Sequence, residues 1–145
     1  MANLECDLIV YVDGVYDMFH RGHIEFFKKA RTFGGTLIVG VLSDEDVATY
    51  KRRPMIRLED RAEIVRQCRL VDRVIVGSPL FVSEELLDLN HVDIVVHGND
   101  NKYPDVYEIP IRRNMMRYVP YWRDCSTTSI IETVKTSKKS ELKND

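Results

Sequence analysis

The sequence predicts an α/β fold: an open, mainly parallel sheet of five strands flanked by helices. Two observations carry that expectation. Short runs rich in β-branched residues, apolar on both faces, alternate along the chain with segments whose apolar side chains recur at helical spacing. Each connection is also long enough for a crossover helix, and strand, helix, buried strand is the parallel βαβ unit.

The elements follow in order. Leu8 to Val12 reads as a buried first strand, and Ile24 to Phe33 as the helix after it. Gly34-Gly35 stops that helix, and Thr36 to Leu42 is a second strand. Ser43 is placed to cap a short helix reaching about Tyr50. The basic loop Lys51-Arg52-Arg53-Pro54 ends at a proline that cannot continue a helix. Leu58 to about Leu70 is helical, Val71 to Gly77 a third strand, Ser83 to Asn90 another helix, and Val92 to Val96 a fourth strand. Residues 104–114 are expected to be partly helical, with Pro110 breaking or kinking them, before a fifth strand from Arg117 to Trp122. A last helix begins near Ile130, with Glu132 available for its cap, and the Lys-rich stretch from Thr136 to Asp145 reads as a disordered tail after a domain spanning residues 1–135.

Composition narrows the function classes. A chain of 145 residues with 44% hydrophobic and 30% charged residues is one ordinary globular domain with a real core. Its formal net charge of −2 gives no basic footprint for nucleic acid or an anionic membrane, so an anionic ligand must be held locally. Three cysteines, Cys6, Cys68 and Cys125, lie at neither disulfide-framework nor metal-ligand spacing. No apolar run approaches the roughly 20 residues that span a bilayer. The expectation is a reduced, cytoplasmic protein.

The chemistry concentrates in Asp13-Gly14-Val15-Tyr16-Asp17-Met18-Phe19-His20-Arg21-Gly22-His23, a tight loop between the first strand and its helix. A helix start offers unpaired N–H groups to phosphate, and His20 and His23 put two imidazole donors beside it. Gly22 lacks the Cβ that would hold a phosphate chain off the backbone. Two nearby histidines alone make an ordinary pair; at the carboxyl end of a first strand they stand where open α/β sheets bind ligands. His97-Gly98-Asn99-Asp100 follows the fourth strand and so faces the same end. Ser126-Thr127-Thr128-Ser129 offers more hydroxyls than one helix cap needs, which suggests a second phosphate-binding helix start.

These stretches, in this order to about Val134, resemble the cytidylyltransferases for phosphoethanolamine, phosphocholine and glycerol-3-phosphate within the HxGH nucleotidyltransferase superfamily. The resemblance implies a Rossmann-like nucleotidyltransferase fold and transfer of CMP from CTP to a small phosphorylated alcohol, with Mg²⁺. It implies catalytic roles for His20, His23 and Lys51, which stands ten positions before Arg61 in Glu59-Asp60-Arg61 as the family's lysine stands before its arginine. It implies nucleotide contacts from Val12, Gly14, Val15, Tyr16, Phe19, Gly22, His97, Gly98, Asn99, Asp100, Arg123 and Ser126, Thr127, Thr128 and Ser129. Asp17 would orient the metal or a histidine, the metal itself resting on phosphates. Arg69-Leu70-Val71-Asp72 resembles the family's dimer segment and implies a homodimer.

For the acceptor, Asp13, Tyr103 and Tyr107 are placed like the family's amine-binding carboxylate and tyrosines, and Lys51 and Phe81 complete the set. Leu80-Phe81 stands where phosphocholine enzymes carry a tryptophan, and Tyr107-Glu108-Ile109-Pro110-Ile111-Arg112-Arg113 resembles the phosphoethanolamine enzymes. A primary ammonium, which can donate to Asp13, suits these residues best. Phosphocholine and glycerol-3-phosphate remain alternatives, with a vitamin-phosphate adenylyltransferase more distant and a non-catalytic nucleotide-binding or dimerisation domain as a different class. One departure stands out: Tyr121-Trp122-Arg123-Asp124-Cys125 replaces the family's Arg-Thr-x-Gly-Ile.

Overall fold

The computed structural model describes residues 7–100, 103–122 and 125–143, the side chains of 140–143 excepted. Five strands, β1 (Ile9–Gly14), β2 (Thr36–Leu42), β3 (Arg73–Ser78), β4 (Ile94–Gly98) and β5 (Met116–Val119), form one sheet in the order β3-β2-β1-β4-β5. Every pairing is parallel; β1 and β2 are buried on both faces, while the edge strand β3 exposes Arg73 and Val76. Successive residues of β1 serve opposite faces. Val10 and Val12 pack with Phe27, Ala30 and Val65 on one side, while Tyr11 packs with Leu86, Leu87 and Tyr107 on the other.

The first of those layers is supplied by α1 (Arg21–Arg31) and α3 (Leu58–Arg66), the second by α4 (Glu84–Leu89) and α5 (Glu108–Arg112). The short α2 (Asp44–Ala48) is capped by Ser43, whose Oγ accepts from Asp46 N at 3.1 Å, and Ser83 caps α4 in the same way at 3.1 Å from Leu86 N. Strand order reverses at β1, so the carboxyl ends of β1 and β4 open a crevice between them.

Four expectations are corrected. The helix from Leu58 ends at Arg66 rather than near Leu70. Pro110 does not break its helix: a 3₁₀ turn, Pro104–Tyr107, leads into α5, and Pro110 sits in the first turn, where a backbone N–H has no intrahelical partner to lose. α6 (Thr127–Lys143) starts three residues before Ile130 and continues to Lys143 within the stretch expected to be a tail, whose last two residues lie outside the described residues. Its lysines, serines and Glu141 include no breaker, so nothing local stops the helix. The cap of α6 pairs Ser126 with Ser129, not Glu132: Ser129 N donates to Ser126 Oγ at 3.1 Å and Ser126 N to Ser129 Oγ at 3.0 Å.

Candidate active site

At the start of α1 the histidine pair forms a capping box made of imidazoles. His20 is the N-cap, its Nδ1 accepting from Gly22 N at 3.0 Å, while His23 Nδ1 accepts from His20 N at 3.1 Å. An Nδ1 that accepts leaves its ring proton on Nε2, so each ring keeps one N–H donor for the cavity that both line. The rings stack with centroids 3.9 Å apart, and Phe19 lies flat against His23 at 5.3 Å. Burial, the neighbouring His20 and Lys51 push His23 down to about 3, and burial lowers His20 as well. Near neutral pH the pair is two uncharged donors.

Gly22 is needed for a reason the sequence does not reveal. A Cβ there would stand 2.7 Å from His20 Cε1 and 3.1 Å from Cys125 O, so the clash would be with the folded-back cap itself. The close carbonyl also shows that the start of α6 lies directly against the start of α1. At this junction the guanidinium of Arg21 lies 4.9 Å over the Trp122 ring.

A cavity of about 1000 Å³ joins these parts. Its wall takes in Asp13 to Asp17, His20, Gly22, His23, Lys51, His97, Gly98 and Asp100, with Phe81, Tyr103 and Tyr107 and the hydroxyl residues Ser126, Thr127 and Thr128. Most of the residues singled out from the sequence thus meet in one place. Four do not line it: Val12 is fully buried in β1, Phe19 backs His23, Asn99 uses its N–H on Val119 O, and Ser129 is consumed by the cap. Arg123 lies outside the described residues.

One end of the cavity is built around Asp13. Tyr107 Oη donates to Asp13 Oδ1 at 2.6 Å, and burial pushes the carboxyl up to about 6 against that hydrogen bond and the nearby His97. Tyr50 joins this end, a residue the sequence reading passed over. Its ring meets Tyr103 edge-on at 5.1 Å, and Lys51 Nζ lies 5.4 Å from its centroid. An aromatic immediately before the lysine was the available signal.

Next to His97, Tyr121 covers Gly98, where an added Cβ would fall 2.1 Å from Tyr121 Cζ. A side chain at 98 would displace the Tyr121 ring from this position. Tyr16 Oη is buried with no hydrogen-bond partner among the described residues.

The Asp17 carboxylate is engaged by the protein itself. Its carboxylate accepts from Met55 N at 2.8 Å, Ile56 N at 3.0 Å and Arg52 Nη1 at 3.3 Å. Among the described residues no cluster of three histidines, cysteines or carboxylates is arranged to bind a metal ion. None of the described helices is long and apolar enough to cross a membrane.

Comparison with known proteins gives a consistent picture. The cytidylyltransferase-like family model matches residues 11–133. The ethanolamine-phosphate cytidylyltransferase of Dictyostelium discoideum is 35% identical over 136 residues, 88% of this chain and 38% of the relative, so the chain spans well under half the length of that protein. The FAD synthase of Pyrococcus abyssi is 44% identical over a shorter stretch of 95 residues, 65% of this chain and 64% of that protein. Among solved structures, a lipopolysaccharide core biosynthesis protein from Thermoplasma volcanium superposes with a TM-score of 0.69 at 23% identity, covering 80% of this chain and 98% of that one, a likeness of fold.

Proposed function

The chain belongs to the cytidylyltransferase-like family, and from that premise we propose that it transfers CMP from CTP to phosphoethanolamine, giving CDP-ethanolamine and pyrophosphate. The observation that carries this reading is one cavity lined by two chemically distinct sets of groups. Two neutral imidazole donors and a helix start suit phosphates, and 
a buried carboxylate among tyrosines suits an ammonium. Phosphoethanolamine carries both groups.

The mechanism needs no covalent intermediate and no general base, because the attacking oxygen belongs to a phosphate already anionic. That oxygen attacks the α-phosphorus of CTP in line, and the bond to the β-phosphate oxygen breaks as pyrophosphate leaves. His20 and His23 donate from Nε2 to the oxygens where charge develops. Lys51 bridges the α-phosphate and the incoming phosphate. The start of α6, with Ser126, Thr127 and Thr128, holds the tail of the triphosphate. Tyr121 and Asp100 face the nucleoside. Mg²⁺ belongs to this proposal as a companion of the phosphates, screening their charge, since the carboxylate of Asp17 is already engaged. A homodimer through Arg69-Leu70-Val71-Asp72 and a cytoplasmic location are likewise part of it.

Pyrophosphate release from CTP and Mg²⁺, with phosphoethanolamine, phosphocholine and glycerol-3-phosphate in separate reactions, tests the reading. Turnover is expected with phosphoethanolamine. Turnover with phosphocholine instead would assign the tyrosines to a quaternary ammonium, and turnover only with ATP and flavin mononucleotide would move the chain to adenylyl transfer. CTP binding without any turnover would favour the non-catalytic reading.

Asp13 gives the reaction a pH signature. Its carboxyl, raised by burial to about 6, is an anion above that pH and neutral below it. The KM for phosphoethanolamine should therefore rise by about tenfold per unit as pH falls below that value, for one required ionisation. Asp13→Asn should raise KM at pH 7.5 and remove that part of the pH dependence. An unaltered profile in the variant would take Asp13 out of the acceptor site.

A further inference from the structure

Between β1 and α1 the chain passes twice through backbone that residues with side chains seldom adopt. Tyr16 has φ 54° and Met18 φ 50°, one on each side of Asp17. Such conformations persist where the surroundings hold them and concentrate at functional sites. Asp17 itself is 4% exposed. Its two carboxylate oxygens take the Met55 and Ile56 amides, from the loop that carries Lys51, and Arg52 from the same loop. Its backbone carbonyl accepts from Thr127 Oγ1 at 2.9 Å, at the first residue of α6. Three positions later comes His20, the cap of α1.

One buried residue therefore touches the lysine loop and the hydroxyl-bearing helix start, and lies within a turn of the histidine cap. These elements are far apart in sequence: Met55 is 38 residues and Thr127 is 110 residues from Asp17. We propose that Asp17 is a positioning residue that locks the Lys51 loop and the start of α6 in register with the His20–His23 pair, so that triphosphate bound at α6 meets a correctly placed lysine. The inference rests on the phosphoryl-transfer reading above for its kinetic consequence, and on the loop contacts alone for its structural one. A carboxylate is suited to the task because both of its oxygens accept. An amide would turn one of those positions into a donor facing a backbone N–H.

A double-mutant cycle tests the kinetic consequence. Asp17→Asn should lower kcat for pyrophosphate release by 10- to 100-fold while changing the KM for CTP less than threefold. In a Lys51→Ala background the same substitution should lower kcat by less than twofold, because the lysine it places is gone. Equal losses in both backgrounds would overturn the proposal in favour of a general structural role.

Amide hydrogen exchange provides a readout independent of activity. Exchange at Met55 and Ile56 should be at least tenfold faster in Asp17→Asn, while amides in β1 and β2 keep their protection. If Asp17→Asn does not fold, Arg52→Leu, which removes one peripheral donor, should speed exchange at the same two amides. Unchanged exchange in the variant that folds would overturn the anchoring role. Faster exchange in a protein whose wild type releases no pyrophosphate with any acceptor would keep the anchor and discard the functional reading.

Discussion

His20→Ala is expected to lower kcat for pyrophosphate release by on the order of 10²–10³, the effect of removing one preorganised donor to developing charge. The loss has two sources, and the capping geometry lets them be separated. His20 Nδ1 caps α1 through Gly22 N, so alanine also removes a helix cap, costing about 1 kcal/mol of stability. His20→Ser restores an acceptor at the N-cap but supplies no donor where Nε2 stood. Serine should therefore recover the melting temperature and leave activity as low as in the alanine variant. If serine restored turnover, His20 would be a cap and nothing more. Because burial lowers both rings, any histidine limb of the pH–rate profile should lie below the ordinary imidazole value.

Arg61→Ala is expected to cost about 3–5 kcal/mol of folding stability, the range for removing one member of a buried ion pair. Arg61 is fully buried and spends its guanidinium on four acceptors. Nε donates to Ile56 O at 2.8 Å, Nη1 to Val15 O at 2.7 Å, and Nη2 to Leu42 O at 3.0 Å and Asp44 Oδ1 at 2.6 Å. It thus joins the loop after β1, the end of β2, the start of α2 and the lysine loop. Alanine would leave three carbonyls and a carboxylate without their donor. Arg61→Met keeps much of the apolar stem and should still be strongly destabilised, because the lost hydrogen bonds, rather than volume, set the cost. Urea denaturation would measure both, and a change below about 1 kcal/mol in either would show that water replaces the guanidinium.

Much of the site was legible because its parts are contiguous. His20 and His23 lie one helical turn apart, so their shared position at a helix start follows from local geometry. The strand runs are equally local, since a strand buried on both faces must be apolar throughout. His97 could be placed at the same end as His20 because parallel strands share a direction. The helical course of residues 136–143 was missed because a polar Lys-rich stretch has the composition of a tail, though its residues are compatible with a helix.

The sequence by itself determined the parallel α/β architecture, the histidine helix start, the basic loop around Lys51 and the hydroxyl-rich start of the last helix. Each of these is written in the period or spacing of a few neighbouring residues. Only the tertiary structure decided that the Asp17 carboxylate takes the Met55 and Ile56 amides, that Arg61 is a buried clamp, that Tyr50 and Tyr103 meet, and that Gly98 makes room for Tyr121. Apart from Arg61 to Ile56 O, those contacts join residues from 17 to 53 positions apart. Their partners are set by strand order and by the crossing of helices over the sheet, which no local pattern encodes.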